Sequence, residues 1–232
     1  MERFDRTKNL IGEEGLEKLK NSRVAIFGIG GVGGFVVESL IRSGIGGVDL
    51  YDFDVVSKTN INRQIIALER TIGNKKVDVM KQRLKQINPN ANVRIFDFNV
   101  NKESIDQIDF SDIDFVVDAI DTITSKVLII QKAKQQGVGI ISCMGTGNKF
   151  DASQLEIVDI EKTSMCPLAK VMRKLLKNNG ISGVKVIYSK EKPISATIDG
   201  ENGKHIPSSA IFVPSVAGIM IAEYVFKKLL EK

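Results

Sequence analysis

The sequence has few of the residues that build disulfide frameworks or metal sites. Among 232 residues there are two cysteines, Cys143 and Cys166, and a single histidine, His205. Two cysteines are too few for a disulfide framework. Three such residues are also too few for a four-ligand zinc site made of cysteine and histidine alone. We therefore expect a reduced protein that holds no zinc.

Long apolar runs are absent as well. No run reaches the roughly 18 residues that a membrane span needs, and the charged N-terminus lacks the apolar segment of a signal peptide. The composition, with 43% hydrophobic and 26% charged residues, excludes disordered, collagen-like and coiled-coil chains. We expect a cytoplasmic α/β protein without a membrane segment.

The net charge of +5 is distributed unevenly along the chain. Residues 1–160 carry 21 lysines and arginines against 22 acidic residues, whereas residues 161–232 carry 12 against 6. A basic C-terminal third indicates an anionic partner near that end. The alternative is a solvated helix face with no partner.

The hydrophobic pattern of the first 140 residues alternates between strands and helices. Apolar runs followed by amphipathic segments predict parallel βαβ units and a doubly wound, mostly parallel sheet. The predicted strands are Arg23–Gly28, Val48–Phe53, Val93–Phe98, Phe115–Ala119 and Gly139–Cys143, and the helices are Val32–Ser43, Lys75–Ile87 and Thr122–Gln136.

After Gly147 the regular alternation of strands and helices changes. Strands are predicted at Leu155–Ile160 and Val184–Ser189, with a basic helix at Pro167–Asn178 between them and a closing helix at Val213–Leu230. We interpret this part as a continuation that covers the sheet and adds antiparallel strands.

A glycine-rich loop follows the first strand. Its sequence, GIGGVG from Gly28 to Gly33, fits the G-x-G-x-x-G pattern, in which glycines allow a phosphate to approach the backbone and a helix N-terminus attracts it. Asp52 ends the second strand and could hold ribose hydroxyls. These two features alone favour an NAD-binding oxidoreductase, although the same loop serves other nucleotides.

The next segment favours a triphosphate instead. Asn60, Arg63 and Gln64 form a polar cluster, and Arg63 can bind phosphate oxygens with its guanidinium fork. Lys75 and Lys76 open the next helix, and Asp118 and Asp121 end the fourth strand in DAID. Because Mg²⁺ on phosphates is usually held by one or two carboxylates, the pattern predicts an ATP–Mg²⁺ site.

Together the motifs GIGGVG, DFDVVSKTNINRQ, GNKKV and DAID resemble the ubiquitin-activating (E1-like) ThiF/MoeB/HesA superfamily, whose members adenylate a carboxylate with MgATP. The resemblance begins at RFDR, Arg3–Arg6, and covers nearly the whole chain. It implies one E1-like domain over residues 1–232, with a nucleotide-binding half at 1–147 and a substrate-binding, sheet-covering half at 148–232.

The resemblance also implies a role for each matching residue. Gly28, Gly30, Gly31 and Gly33 would form the nucleotide loop, Asp52 would hold the ribose, and Asn60, Arg63 and Gln64 would contact phosphates. Lys76 would steady the triphosphate, Asp121 would bind Mg²⁺, and Asp54 belongs to the same nucleotide-binding motif. Arg6 matches an arginine that reaches the triphosphate of a partner subunit, which implies a homodimer.

Within the superfamily, the second half of the chain is similar to the tRNA threonylcarbamoyladenosine dehydratase subfamily, which cyclises a modified adenosine next to the anticodon. The similarity rests on GTGNKFDASQLEIVDIEKTSMCPLAKVMRK and IPSSAIFVPSVAGIMIAEYVFKKL, and Lys126 fits the lysine that this branch has after DAID. It implies a tRNA substrate, with a sulfurtransferase-type protein as a candidate partner. The alternative within the superfamily is an adenylyltransferase for the C-terminus of a ubiquitin-like sulfur carrier, and a nucleotide-binding scaffold without chemistry is a further one.

The chain departs from the sulfur-carrier activators because it has no CxxC pair. The segment before the last helix, which holds His205, also lacks the cysteine that some dehydratases carry there. We expect Cys143 to be a core residue, Cys166 to be a half-buried residue near a helix start, and His205 to be exposed. Basic residues at helical spacing, Lys170, Arg173, Lys174 and Lys177, could face a polyanion, followed by Lys185, Lys190, Lys192 and Lys204, whereas Tyr188 and Phe212 are expected in the core.

Overall fold

A seven-stranded sheet forms the centre of the structure, a computed structural model that describes residues 2–195, 197–199 and 205–231. Its strands are β1 (Arg23–Phe27), β2 (Gly47–Tyr51), β3 (Asn92–Phe96), β4 (Phe115–Asp118), β5 (Gly139–Cys143), β6 (Leu155–Asp159) and β7 (Lys185–Ser189). They lie in the order β3-β2-β1-β4-β5-β7-β6. Every neighbouring pair is parallel except β6 and β7, and two short strands, β8 (Thr197–Asp199) and β9 (His205–Pro207), form a separate antiparallel pair.

Six α-helices surround the sheet in the described part of the chain. They are α1 (Asp5–Asn21), α2 (Gly33–Ser43), α3 (Lys76–Ile87), α4 (Ile123–Gln135), α5 (Pro167–Asn178) and α6 (Phe212–Glu231). Because successive side chains of a strand point to opposite faces, β1 contributes to two cores. Val24 and Ile26 pack in the core with α2, α3 and α6, whereas Ala25 and Phe27 pack in the core with α4 and α5.

The last helix lies close against α2. A Cβ atom on Gly218 would come 2.4 Å from the carbonyl oxygen of Val32 and 2.9 Å from Cβ of Phe35, so the small residue allows the backbone of α6 to approach. This contact places the start of α6 beside the glycine-rich loop that precedes α2.

The order in which strands are added to the sheet changes direction at β1. This strand pairs with β2 on one side and with β4 on the other. The loops after β1 and β4 therefore lead to opposite faces of the sheet. A crevice outside the carboxyl ends of the strands at such a point is the usual ligand site of open α/β sheets.

The predicted doubly wound sheet is confirmed, and β5 and α5 have the predicted bounds. The other predicted elements are present with ends shifted by one or two residues, as for β2, which ends at Tyr51 and not at Phe53. The helix α1 was not predicted. Its backbone is kinked at Gly12, where φ is 80° and ψ is 171°, and it buries only Gly15, Leu16 and Leu19, so its apolar pattern is short.

Two expectations for aromatic residues have different outcomes. Tyr188 is buried as expected, and its hydroxyl donates a hydrogen bond to Glu156 Oε1 at 2.5 Å. The expectation of a core position for Phe212 was wrong. This residue begins α6 and is 59% exposed, whereas the next two residues of the same turn, Val213 and Pro214, are buried.

Candidate active site

A cavity of about 430 Å³ lies at the carboxyl ends of β1, β2 and β4. It occupies the point where β1 separates β2 from β4. Ten residues proposed from the sequence line it: Gly28, Gly30, Gly31, Asp52, Asp54, Asn60, Arg63, Gln64, Lys76 and Asp121. The fold therefore brings together residues from segments more than 90 positions apart in the chain.

The glycines of the loop after β1 serve two different purposes. Gly28 has a φ of +87°, and a Cβ there would lie 2.8 Å from the carbonyl oxygen of Ala119. A Cβ on Gly33, which does not line the cavity, would lie 1.8 Å from the carbonyl oxygen of Gly28. These two glycines are required by the backbone itself.

A Cβ atom at Gly30 or Gly31 would meet no clash. The nearest atoms to a Cβ at these positions would be 3.8 Å and 3.4 Å away. The loop leads into the N-terminus of α2, where the first N–H groups have no partner inside the helix. An anion of phosphate size fits this position because the helix dipole and the N–H groups both attract negative charge.

Asp52 connects the end of β2 to the glycine-rich loop. Its carboxylate accepts hydrogen bonds from the backbone N–H of Ile29 at 2.6 Å and of Asp54 at 2.9 Å. Burial raises the pKa of the Asp52 carboxyl, although the Lys76 ammonium and the two N–H groups act in the opposite direction. The two hydrogen bonds hold the carboxylate at the cavity wall.

Lys76 and Asp54 form an ion pair in the cavity. The ammonium lies 2.7 Å from Oδ2 of Asp54. Lys76 is the first residue of α3 and is buried, whereas the Asp54 side chain is half exposed. A ligand phosphate could therefore compete with Asp54 for the ammonium without moving the helix.

The polar cluster after β2 lies in a short 3₁₀ segment and the turn after it. Asn60 accepts a hydrogen bond from the Ser57 N–H at 3.1 Å, and Nη1 of Arg63 donates to the carbonyl oxygen of Thr59 at 2.8 Å. Oε1 of Gln64 is buried and has no hydrogen-bond partner among the described residues. A buried acceptor without a donor is unusual, and a ligand group that donates a hydrogen bond, such as a hydroxyl, would satisfy it.

The two aspartates of DAID, both expected at the ligand edge, have separate environments. Asp121 is exposed and lines the cavity. Asp118 ends β4 at the carboxyl edge of the sheet, as expected, but it is fully buried and is not among the residues that line the cavity. Its carboxylate lies 3.0 Å from the ammonium of Lys126 and accepts a 2.5 Å hydrogen bond from Ser142 Oγ.

Sequence reasoning missed an aromatic floor beneath the cavity. The rings of Phe27 and Tyr51 are stacked with centroids 4.3 Å apart, and those of Tyr51 and Phe96 are stacked at 4.4 Å. Phe98 meets Tyr51 edge to face at 5.8 Å. The endings RVAIF, DLYDF and RIFDF on three neighbouring strands were a signal, since parallel strands in register place these rings side by side.

Residues that follow β5 in the chain supply part of the cavity wall. Thr146, Ser209 and Pro214 line it and were not predicted. The position of Thr146, directly after β5, was the available signal because ligands bind beyond the carboxyl ends of the strands. Asn148 links the segment after β5 to the segment before α6. Its N–H donates to Ser208 O and its Oδ1 accepts from Ser208 N, both at 2.7 Å.

The remaining candidate residues lie outside the cavity. Arg6 is exposed on the first turn of α1 and is not among the residues that line it. Cys143 is buried as expected, and burial raises its pKa to about 12. The expectation that Cys166 is half-buried was wrong. It is 4% exposed, because the N-terminus of α5 packs its thiol against the loop at Gly145.

The expected basic face of α5 is present with one exception. Lys170, Lys174 and Lys177 are exposed, whereas Arg173 turns inward and Nη1 donates to the carbonyl oxygen of Thr163 at 2.5 Å. Lys185 and Lys190 are paired with Asp159 and Glu156, and Lys192 is exposed. Lys204 lies outside the described residues, and so does the side chain of His205.

The fold and the cavity agree with a comparison against known families. The ThiF family profile matches residues 4–232. The chain belongs to the ThiF family. This confirms the resemblance drawn from the glycine-rich loop and the three motifs that follow it.

Two relatives and a solved structure are similar to this ThiF-family chain over its full length. It is 42% identical to the tRNA threonylcarbamoyladenosine dehydratase of Bacillus subtilis, over 100% of this chain and 96% of the relative. It is 31% identical to the enzyme of that name from Escherichia coli, over 100% and 94%. A crystal structure of the E. coli enzyme in complex with ATP superposes with a TM-score of 0.90 at 32% identity, covering 99% of this chain and 94% of that one.

None of the described helices in this ThiF-family chain is long and apolar enough to cross a lipid bilayer.

Proposed function

We propose that the chain binds ATP in this cavity and uses it to adenylate a carboxylate. The observation that carries the proposal is the convergence of a helix N-terminus, a guanidinium and a buried ammonium on one cavity, contributed by α2, Arg63 and Lys76. Three positively polarised groups suit a triphosphate, which carries several negative charges. The clash-free backbone at Gly30 and Gly31 leaves room for a phosphate, and the unpartnered Oε1 of Gln64 would accept a hydrogen bond from a nucleotide hydroxyl.

The same residues argue against a nicotinamide cofactor. NAD carries a single pyrophosphate, and the glycine-rich loop alone can bind it. The additional phosphate-binding groups of Asn60, Arg63 and Lys76 would then have no phosphate to contact. The proposed order within the cavity runs from Asp52, at the ribose, through Gly30 and Gly31 to Arg63 and Lys76 at the β- and γ-phosphates.

Magnesium would enter with the nucleotide. Among the described residues, no group of three or more histidine, cysteine, aspartate or glutamate side chains gathers to hold a metal ion. Mg²⁺ on ATP takes most of its ligands from phosphates and water and needs only one or two carboxylates. Asp121 lies exposed at the cavity and would supply one, and the bound ion would neutralise the charge that develops on the leaving pyrophosphate.

The carboxylate that we propose is that of the threonylcarbamoyl group on a tRNA adenosine. The two relatives and the solved structure carry the name of that enzyme, and they match the chain over its whole length. In the first step, a carboxylate oxygen attacks the α-phosphorus of ATP and pyrophosphate leaves. In the second step, a nitrogen of the same modified group attacks the acyl carbon, the ring closes, and AMP leaves with the carboxylate oxygen, which is the net loss of one water from the nucleoside.

The second step needs no nucleophile from the protein. Both reacting groups belong to one nucleoside, so their effective concentration is high. Cys143 and Cys166 are both buried, which agrees with a reaction that proceeds without a thioester. The main contribution of the chain is to position the two substrates and to balance the phosphate charge.

The proposed assembly is a homodimer in which Arg6 acts on the cavity of the partner subunit. Its support is the exposed position of Arg6 on α1, away from the cavity of its own chain.

A complementation experiment tests this assembly. Arg6→Ala and Asp121→Ala chains, each inactive alone, should complement each other when they are folded together. Random pairing gives half heterodimers with one intact site each, so roughly a quarter of the wild-type activity should return. If Arg6 acts within its own chain, no activity returns.

Exchange of labelled pyrophosphate into ATP tests the adenylation step and its substrate. With Mg²⁺ and tRNA carrying threonylcarbamoyladenosine, exchange should require the modified tRNA, and unmodified tRNA is the matched control. Exchange that instead requires a sulfur-carrier protein ending in Gly-Gly would assign the chain to the carrier-activating branch. A chain that never forms pyrophosphate with either substrate would contradict the proposal.

A sulfurtransferase-type protein partner and a cytoplasmic location remain predictions of the same account.

A further inference from the structure

The exposed face of α5 carries only positive charge. The helix, PLAKVMRKLLKN, has no acidic residue, and it buries Ala169, Met172 and Leu176 against the sheet. Lys170, Lys174 and Lys177 follow each other at intervals of four and three residues, so they lie on one side, opposite the buried stripe. Among the residues that the structure describes, none of these three lysines forms an ion pair.

A row of three unpaired lysines on one helix face contrasts with the lysines of α1 and α6, which have acidic neighbours. Lys20 pairs with Glu17, Lys227 with Glu223 and Lys228 with Glu231. Three cations within two helical turns repel each other. A row of this kind is complementary to a regular series of negative charges, such as the phosphates of a nucleic acid.

This face begins beside the wall of the cavity. A Cβ on Gly145 would lie 3.7 Å from the Cys166 sulfur and 3.9 Å from Leu168 Cβ, which places the first turn of α5 against the loop after β5. The next residue of that loop, Thr146, lines the cavity. A polyanion along α5 would therefore lead directly to the place where the carboxylate has to react.

The same loop presents an aromatic ring to solvent. Phe150 is 73% exposed, although its backbone is fixed, because its N–H and that of Asp151 both donate to the carboxylate of Glu191. An exposed ring on an anchored backbone has no packing role in the chain. Unpaired RNA bases stack on such rings.

We propose that Lys170, Lys174 and Lys177 bind consecutive phosphates of the tRNA and that Phe150 stacks on one of its unpaired bases. The proposal rests on the proposed function, since it names where on this chain the tRNA docks. It assigns three exposed lysines of the basic C-terminal third to one face of α5. The paired lysines of α1 and α6 lie outside the proposed interface.

Binding of purified tRNA carrying threonylcarbamoyladenosine, measured over a range of salt concentrations, tests this surface. Each lost phosphate contact lowers the salt slope by about 0.7–0.9. The triple variant Lys170→Gln, Lys174→Gln, Lys177→Gln should therefore lose about two to three units of slope and bind about tenfold or more weakly at low salt. The control Lys20→Gln, Lys227→Gln, Lys228→Gln removes the same charge and should bind as the wild type does. Thermal melting checks that both variants are folded.

Phe150 is tested separately. Phe150→Ala should weaken tRNA binding about tenfold with an unchanged salt slope, and Phe150→Tyr should restore it, because stacking needs a ring and not a charge. Equal binding by Phe150→Ala and the wild type would overturn the stacking role.

Three results would overturn the lysine surface, and they separate it from the proposed function. If the wild type binds tRNA and the α5 variant binds it with the same affinity and slope, the surface is wrong and the function stands. If the α5 variant instead loses binding only to a poly-glutamate peptide, the face belongs to an acidic protein. If the wild type does not bind tRNA and is activated by a Gly-Gly-ending protein, both proposals fail.

Discussion

The ammonium of Lys126 lies 3.0 Å from the carboxylate of Asp118, and neither side chain is exposed to solvent. Both also hold Ile120, since Lys126 Nζ donates to its carbonyl oxygen at 3.0 Å and Asp118 Oδ1 accepts from its N–H at 3.3 Å. Ile120 directly precedes Asp121. The buried pair therefore fixes the loop that presents Asp121 to the cavity.

Replacing one member of this pair should be costly. Lys126→Met leaves the Asp118 carboxylate buried without its counter-ion, and breaking such a pair costs about 3–5 kcal/mol. Urea unfolding measures the loss. The double variant Lys126→Met, Asp118→Asn removes both charges and should recover much of the stability. A single variant as stable as the wild type would show that the pair does not hold the loop.

Arg63 and Asp121 should be required for ATP cleavage and not for folding. Removing one contact to transition-state charge typically costs about 10²–10³ in rate, so Arg63→Ala and Asp121→Ala should each lose that much AMP release with unchanged melting. Arg70→Ala, an exposed arginine that does not line the cavity, is the matched control and should stay active. Full activity in either test variant would refute the site.

Alanine at two glycines of the same loop should have different effects. Gly33→Ala places a Cβ 1.8 Å from the Gly28 carbonyl oxygen, so the backbone has to shift and the melting temperature should fall. Gly30→Ala meets nothing within 3.8 Å and should melt as the wild type does, while its methyl group obstructs a phosphate and weakens ATP binding. Calorimetry and ATP titration separate the two effects. A stable, ATP-binding Gly33→Ala chain would contradict the loop geometry.

The thiols should be dispensable and slow to react. Alkylation requires the thiolate, and with a pKa of about 12 the Cys143 thiol is ionised in only about one molecule in ten thousand at pH 8. Iodoacetamide should therefore label Cys143 only after unfolding or as the pH rises toward that value. Cys166→Ser should keep most of the activity. A folded but inactive Cys166→Ser chain would indicate a thioester step.

The sequence was sufficient for the sheet and for much of the cavity. Apolar runs predicted the strands, and the glycine-rich loop, Asp52 and Asp121 follow the ends of parallel strands, which brings them to one edge of the sheet. It was not sufficient to separate Asp118 from Asp121, since the difference depends on Lys126 and on Ser142, which comes from another strand.

The parts of the site that were missed depend on packing across the sheet. The stacked rings of Phe27, Tyr51 and Phe96 follow from strand register, and Ser209 and Pro214 reach the cavity because α6 packs on α2 at Gly218. The strand endings were a signal for the rings only once the strand order and register are known, and the contact between α6 and α2 has no local pattern in the chain. The helix α1 was missed because its apolar pattern is short and its backbone is kinked at Gly12.

Release of AMP from ATP and Mg²⁺, with mass analysis of the tRNA nucleoside, tests the central claim most directly. The account predicts that AMP release requires tRNA carrying threonylcarbamoyladenosine and that the nucleoside becomes lighter by one water for each AMP formed. AMP release without any change in the mass of the nucleoside, or with a protein C-terminus as the only effective substrate, would contradict it.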